Sequence, residues 1–187
     1  TLPPYILNSY GGAIDQIQHV NGIQLHMQGY KGKGINIAVI DGGFLGVDSM
    51  SCFDYIRANG RIIDTYNFVN KEKNVFGYSE HGTQVLGVMA ANLPDIYVGT
   101  APDANYWLFK TENTHTEELI EEFYFAMALE YADSAGVDIV NASIGFNYFD
   151  DAATTHSWVE LEGEQTLATR AVNIASLKGM LVVVSAG

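Results

Sequence analysis

Short, nearly unbroken apolar runs alternate along this chain with longer stretches in which apolar residues return every third or fourth position. The runs fall at 35 to 40, 105 to 110, 137 to 142 and 180 to 185, the length and character of strands. The stretches between them have the period of helices, and this alternation predicts a parallel sheet with helices on its faces. The clearest helix lies in "THTEELIEEFYFAMALEYADSAG". There Thr114 and Glu117 form a capping box, Leu119, Phe123 and Met127 share a face, and Gly136 supplies the stop. A second helix is predicted from Thr166 to Lys178, with Leu167, Val172, Ile174 and Leu177 as apolar positions and Gly179 at the left-handed cap. A third, shorter helix runs from Gly82 to Ala91, and its small residues allow close packing on the sheet.

No repeat, low-complexity tract or linker divides the 187 residues, and 48% of them are hydrophobic, so a single core is expected. A net charge of -13 repels nucleic-acid phosphates and anionic membranes. No apolar run approaches the roughly 20 residues a membrane helix needs, so no membrane insertion is expected. The single cysteine, Cys52, excludes an intrachain disulfide and is read as a packing residue rather than a reactive thiol. "TLPPYILNSY" at the start has no basic region followed by an apolar stretch, so any export signal is expected to lie outside this sequence.

In open parallel sheets, ligands sit beyond the carboxyl ends of the strands. Asp41, Ser143 and Ser185 lie at or near such ends, and His81 opens the third helix 40 residues after Asp41. Taken singly, each has an ordinary structural reading. A strand-end aspartate satisfies turn amides, a histidine beside glycine caps or packs, and a sheet-end serine bonds to backbone.

The flanking residues narrow the choice. "IAVIDGGF", "HGTQVLGVMAA", "GTAPDANYWLFKTEN", "DIVNASIG" and "GMLVVVSAG" resemble the subtilisin-like serine proteases in order and spacing from about residue 30 onward. Segments such as "LHMQGYKGKG", "EYADSAG" and "ASLKGMLVVVSAG" are most similar to the secreted subtilases of Bacteroidetes-type bacteria. The resemblance implies a three-layer α/β subtilase-like fold, with a mostly parallel central sheet and helices on both faces. It also implies that Asp41 and His81 are the acid and base of a Ser-His-Asp triad; the chain order Asp, His, Ser is recognised from subtilisin itself. A serine hydroxyl is too weak an acid to attack an amide at neutral pH unless a histidine accepts its proton. The aspartate would then fix the imidazole tautomer. By the same resemblance Ser143, Ile144 and Gly145 line the primary specificity pocket, while Glu112 and Asn113 form the opposite edge. A peptide or protein substrate would lie between them as an added strand. A secreted or cell-surface location is implied, with no cofactor needed for the chemistry and structural calcium admitted.

Two family features are absent from these residues. There is no Gly-Thr-Ser, and the sequence ends at Gly187, one residue before the position of the family's oxyanion-hole asparagine. Residues 1 to 187 are therefore expected to be the amino-terminal portion of a single peptidase domain, about 1 to 30 leading into the core. The carboxyl-terminal remainder would be the partner that supplies the serine and the asparagine. Alone, this chain is expected to be inactive; the alternative is a catalytically inactive subtilase-like module that binds peptides or proteins. Gln84 stands where many relatives carry a second histidine. Glu112, Glu117, Glu118, Glu121 and Glu122 are either a solvated helix face or an attraction for basic substrate side chains. Asp150, Asp151, Glu160 and Glu162 are either ordinary loop acids or oxygen ligands for calcium.

Overall fold

The computed structural model describes residues 9–161 and 165–186. Five strands form one parallel sheet: β1 (Asn36–Asp41), β2 (Ile62–Asn67), β5 (Asn105–Lys110), β6 (Ile139–Ala142) and β7 (Leu181–Val184), in the order β2-β5-β1-β6-β7. A separate antiparallel pair joins β3 (Asn92–Leu93) to β4 (Tyr97–Val98). The helices are α1 (Ile14–His19), α2 (Gly22–Met27), α3 (Asp54–Ala58), α4 (His81–Ala90), α5 (Ile120–Ser134), α6 (Trp158–Leu161) and α7 (Leu167–Leu177).

The period-2 geometry of a strand sorts the central residues onto two faces. Ala38 and Ile40 of β1, with Trp107 and Phe109 of β5, meet Phe125, Ala128, Leu129 and Ala132 of α5 and Ala175 of α7. Their neighbours Ile37 and Val39, with Tyr106 and Leu108, meet Phe53, Ile56 of α3 and Leu86 and Ala90 of α4. Two cores on either side of one sheet make the three-layer α/β arrangement that the alternating pattern predicts. Each fully buried aliphatic or aromatic side chain contributes about 1.5–3 kcal/mol, which is why β1 and β5, buried on both faces, anchor the molecule. Cys52 packs half-buried against the second core, and burial pushes its thiol up, which fits a packing role.

β2 carries no apolar run: only Asn67 of its six residues is buried, and a register shift at Ile62 and Asp64 interrupts its pairing. Its polar positions find partners instead, Asp64 with Lys73 and the Tyr131 hydroxyl and Asn67 with the Asn70 N–H, so the strand forms without an apolar run.

The α5 expectations are corrected. The helix begins at Ile120, not at a Thr114 cap, because side chains hold residues 113–119 in turns. Asn113 Nδ2 donates to Thr116 Oγ1 at 2.6 Å, and Glu121 Oε1 accepts the Asn113 N–H at 2.6 Å. Phe123 and Met127 face outward, while Glu121 and Glu122 are 1% exposed. Glu122 takes His156 Nε2 and the Ala168 N–H, pinning the 147–157 loop and the start of α7 to α5. On α7, Ile174 and Leu177 are likewise exposed and Ala175 is the buried position. Gly136 and Gly179 end their helices at φ +73 and φ +102, the left-handed conformation that glycine adopts freely.

The start of α7 offers a measurable test. Thr166 is buried and extended, and its Oγ1 accepts the Thr169 N–H at 3.1 Å. Thr166→Ala is expected to cost about 1 kcal/mol, read as a lower urea midpoint at unchanged m. An unchanged midpoint would show that the cap is dispensable.

The segment ahead of β1 docks through Tyr10, Ile17 and Ile23. Buried His26 ties it down: its Nε2 meets the Thr100 carbonyl at 2.8 Å, so Nε2 carries the proton. Nδ1 then accepts from the Tyr10 hydroxyl at 3.1 Å.

Candidate active site

The strand order places the end of β1 between the ends of β5 and β6. Asp41, the last residue of β1, lies opposite Lys110 in β5, and its backbone carbonyl accepts the Thr111 N–H at 3.2 Å. A carboxylate that is 1% exposed requires partners. Asp41 Oδ1 accepts the Gly42 N–H at 2.8 Å, and the His81 Nδ1 stands 2.8 Å from Oδ2 and 3.0 Å from Oδ1. Burial raises the Asp41 carboxyl; the His81 hydrogen bond, the Gly42 and Gly82 amides and the imidazole charge oppose it. A carboxylate facing Nδ1 fixes the proton there and leaves Nε2 with its lone pair. The His81 side chain is 54% exposed, and among the described residues Nε2 has no hydrogen-bond partner. The pair is thus an oriented base open to a reacting group.

Two close approaches make this possible. Gly82 sets the first turn of α4 directly on the strand end: a Cβ there would overlap the Gly43 carbonyl oxygen and stand 2.9 Å from Asp41 Cβ. Gly43, at φ +146, lets the chain leave β1 against Tyr78 and Ser79. The two segments then zip together, with Phe44 N donating to Val75 O at 2.8 Å and Leu45 N to Ser79 O at 3.0 Å. Ser79 Oγ accepts the His81 N–H at 3.1 Å, and Thr83 Oγ1 donates to Leu45 O at 2.9 Å. Ser79 was not singled out by the sequence reading; its signal is a serine two residues ahead of the helix's first residue.

The other candidate residues divide by element. Ser143 follows β6 and accepts from Asn141 Nδ2 at 3.1 Å, while Ser185 Oγ donates to the Ile144 carbonyl at 2.9 Å. Ile144 and Gly145 border a cavity of about 260 Å³ whose walls include Phe125, Phe146, Val172 and Ser185. Glu112 and Asn113 follow β5, on the other side of Asp41. Glu112 Cβ lies near Gly42, and among the described residues its carboxyl group has no hydrogen-bond partner. Burial, then the charges of Glu121, Glu117 and Asp41, push the Glu112 carboxyl up to about 8 against the opposing effect of Lys110.

The acidic group does not act as one face. Glu121 and Glu122 are buried acceptors of backbone amides, which corrects their reading as solvated or substrate-facing, whereas Glu117 and Glu118 remain exposed. The loop acids bond to protein groups: Asp151 Oδ1 accepts the Ala153 N–H and Glu160 Oε2 both Ser157 donors in local turns, while Asp150 Oδ2 reaches the Glu117 N–H ahead of α5. Glu162 lies outside the described residues. Among the described residues no three His, Cys, Asp or Glu side chains are grouped to hold a metal ion.

Residues 32–187 match the sequence profile described as the subtilase family. Subtilisin E of Bacillus subtilis is 30% identical over 145 residues, which cover 75% of this chain and 35% of that protein. A thermostable alkaline protease of Halalkalibacterium halodurans is 28% identical over 172 residues, 91% of this chain and 40% of that protein. The chain therefore spans a little over a third of the length of these curated relatives. Its backbone resembles MycP1 with the N-terminal propeptide removed, with a TM-score of 0.66 and 21% identity over 91% of this chain and 48% of that one. It also resembles a lanthipeptide protease, with a TM-score of 0.63 and 20% identity over 99% of this chain and 48% of that one. At these identities the structural likeness is one of fold.

Proposed function

The chain belongs to the subtilase family, and from that premise we propose that it forms the amino-terminal part of a serine endopeptidase's catalytic domain, contributing the base and its orienting acid. The observation that carries this reading is the His81 imidazole, held through Nδ1 by both Asp41 oxygens with Nε2 open. In the proposed reaction Nε2 takes the hydroxyl proton as a serine oxygen bonds to the scissile carbonyl carbon. It returns that proton to the amine as the carbon–nitrogen bond breaks. Asp41 stabilises the intervening imidazolium from a buried site, where its charge is little screened. The serine and the oxyanion donor belong to the remainder of the protease, so this chain alone is proposed to be inactive. A location outside the cell or at its surface is part of the proposal, as the family resemblance implies. No described helix is long and apolar enough to cross a membrane.

The whole protease should hydrolyse an unstructured peptide and be labelled stoichiometrically by a serine-directed phosphonate. Peptide binding without turnover or labelling would instead identify an inactive binding module.

The substrate would lie between residues 111–113 and 143–145 as an added strand. Glu112, on that edge with a carboxyl that has no hydrogen-bond partner among the described residues, is proposed to favour Lys or Arg in positions before the cleavage site. A partly exposed charge pair near 1 kcal/mol corresponds to about fivefold selectivity. Because the Glu112 carboxyl is pushed up to about 8, the charge that attracts a cation develops as pH rises through that value. The kcat/KM ratio of a lysine substrate to its norleucine counterpart should therefore climb between about pH 6 and 9. Ionisation of His81 affects both substrates and cancels in the ratio. In Glu112→Gln the ratio should be flat; a climb that persists there would remove Glu112 from this role.

A further inference from the structure

Lys110 is the last residue of β5 and is 2% exposed, an unusual fate for lysine. Its side chain does not reach for solvent. The ammonium donates to the Glu112 carbonyl two residues on, and sits 4.7 Å from the centre of the Tyr78 ring. Tyr78 in turn is held at a positive φ and bridged to Gly43 beside the Asp41 turn. Burial lowers the Lys110 amine, and the charges of Glu121, Glu112 and Glu72 oppose that shift.

The partner across this arrangement is Glu121. It is 1% exposed, and Oε1 accepts the Asn113 N–H at 2.6 Å while Oε2 accepts the Glu118 N–H at 3.3 Å. The carbonyl of Glu112 and the N–H of Asn113 belong to one peptide unit. A buried cation therefore takes its oxygen and a buried anion takes its hydrogen, fixing the plane on both sides. Charge-assisted bonds in a desolvated site are the strong class of hydrogen bond. With that plane fixed, the backbone groups on either side of it are aimed before any ligand arrives. Among the described residues the Glu112 N–H makes no backbone bond.

We propose that Lys110 and Glu121 are positioning residues that preset the 111–113 edge for pairing with the substrate backbone by clamping the Glu112–Asn113 peptide unit from opposite sides. This rests on the protease reading above. Neither side chain touches the reacting atoms. Their effect is on an extended peptide, which uses the edge, and not on a single-residue ester, which does not reach it. Losing one charge-assisted bond is worth roughly tenfold.

The test measures kcat and KM of the whole protease on both substrates. For Lys110→Met, which keeps length and removes charge, the extended-to-ester ratio of kcat/KM should fall about tenfold, chiefly through KM. Lys110→Arg should restore most of it. Glu121→Gln keeps an acceptor for the Asn113 amide and should lower the ratio less than Glu121→Leu. The ratio is insensitive to loss of folded enzyme, and Glu121→Leu serves if Lys110→Met does not fold. An unchanged ratio in Lys110→Met, or in Glu121→Leu beside an unfolded Lys110→Met, would overturn the proposal. A wild-type protease that cleaves neither substrate would instead fail the protease reading itself.

Discussion

His81→Ala in the whole protease is expected to lower kcat by 10⁴-fold or more, roughly the loss incurred when a triad base is removed. KM should change little, because the imidazole accepts a proton in the transition state and does not grip the substrate beforehand. Phosphonate labelling should collapse in parallel, since the serine is no longer activated; labelling at the wild-type rate would remove His81 from the role of base. The substitution also has a signature in stability. Burial holds the Asp41 carboxyl above its ordinary range, and the His81 hydrogen bond and charge are the largest opposing effect. Without His81 the carboxyl rises further. A carboxyl whose folded pKa exceeds its unfolded value keeps its proton better in the folded state. Its stabilisation is therefore greatest at low pH and declines as pH climbs from the unfolded to the folded pKa. His81→Ala should accordingly lose stability relative to wild type as pH rises from about 4, the unfolded aspartate value.

Gly82→Ala is expected to cost about 100-fold in kcat while leaving the imidazole and the carboxylate chemically intact. The added methyl has no space, since it would overlap the Gly43 carbonyl oxygen and press on Asp41 Cβ and Cγ at 2.9 and 3.0 Å. Backbone lies on both sides of the contact, so the first turn of α4 must lift from the end of β1, and His81 travels with it. A displacement of about 1 Å at a catalytic group is worth roughly 10²-fold. Gly77→Ala is the control, because a Cβ there meets nothing within 4 Å. If Gly82→Ala retained wild-type kcat, the close packing of α4 on the strand end would not be what sets the His81 to Asp41 distance.

Much of this arrangement is legible in the sequence. Four of the five strands of the sheet declare themselves by apolar runs: β1 and β5 because both their faces are covered, whereas β7 carries an apolar run although it is an edge strand and largely exposed. Asp41 drew attention because a charge at the end of such a strand has to be accounted for, and the flanking glycines together with "HGT" pointed to its partner. The sequence misled where polar and apolar residues exchange their usual places. Phe123 and Met127 suit a buried helix face, yet α5 turns Glu121 and Glu122 inward, where their oxygens accept from backbone amides and His156. Periodicity scores how apolar a position is and is blind to whether a polar group has found its bonds. The strand at 62–67 lacks an apolar run for a related reason, since its polar Asp64 is satisfied by Lys73 and Tyr131.

By itself the sequence determined the family and the layered α/β plan and pointed to the proposed base and acid, because these depend on local pattern and on motifs contiguous in the chain. The tertiary structure decided which polar groups meet. It brought Lys110 and Glu121 to opposite sides of one peptide unit, set the edge on which Glu112 stands, and made Gly82 necessary by pressing a helix start onto a strand end. Gly82 meets a strand end about forty residues earlier in the chain, and the clamp within residues 110–121 depends on how α5 packs beside β5. Such distances are set to a few tenths of an ångström by the packing of the core, which local pattern does not encode.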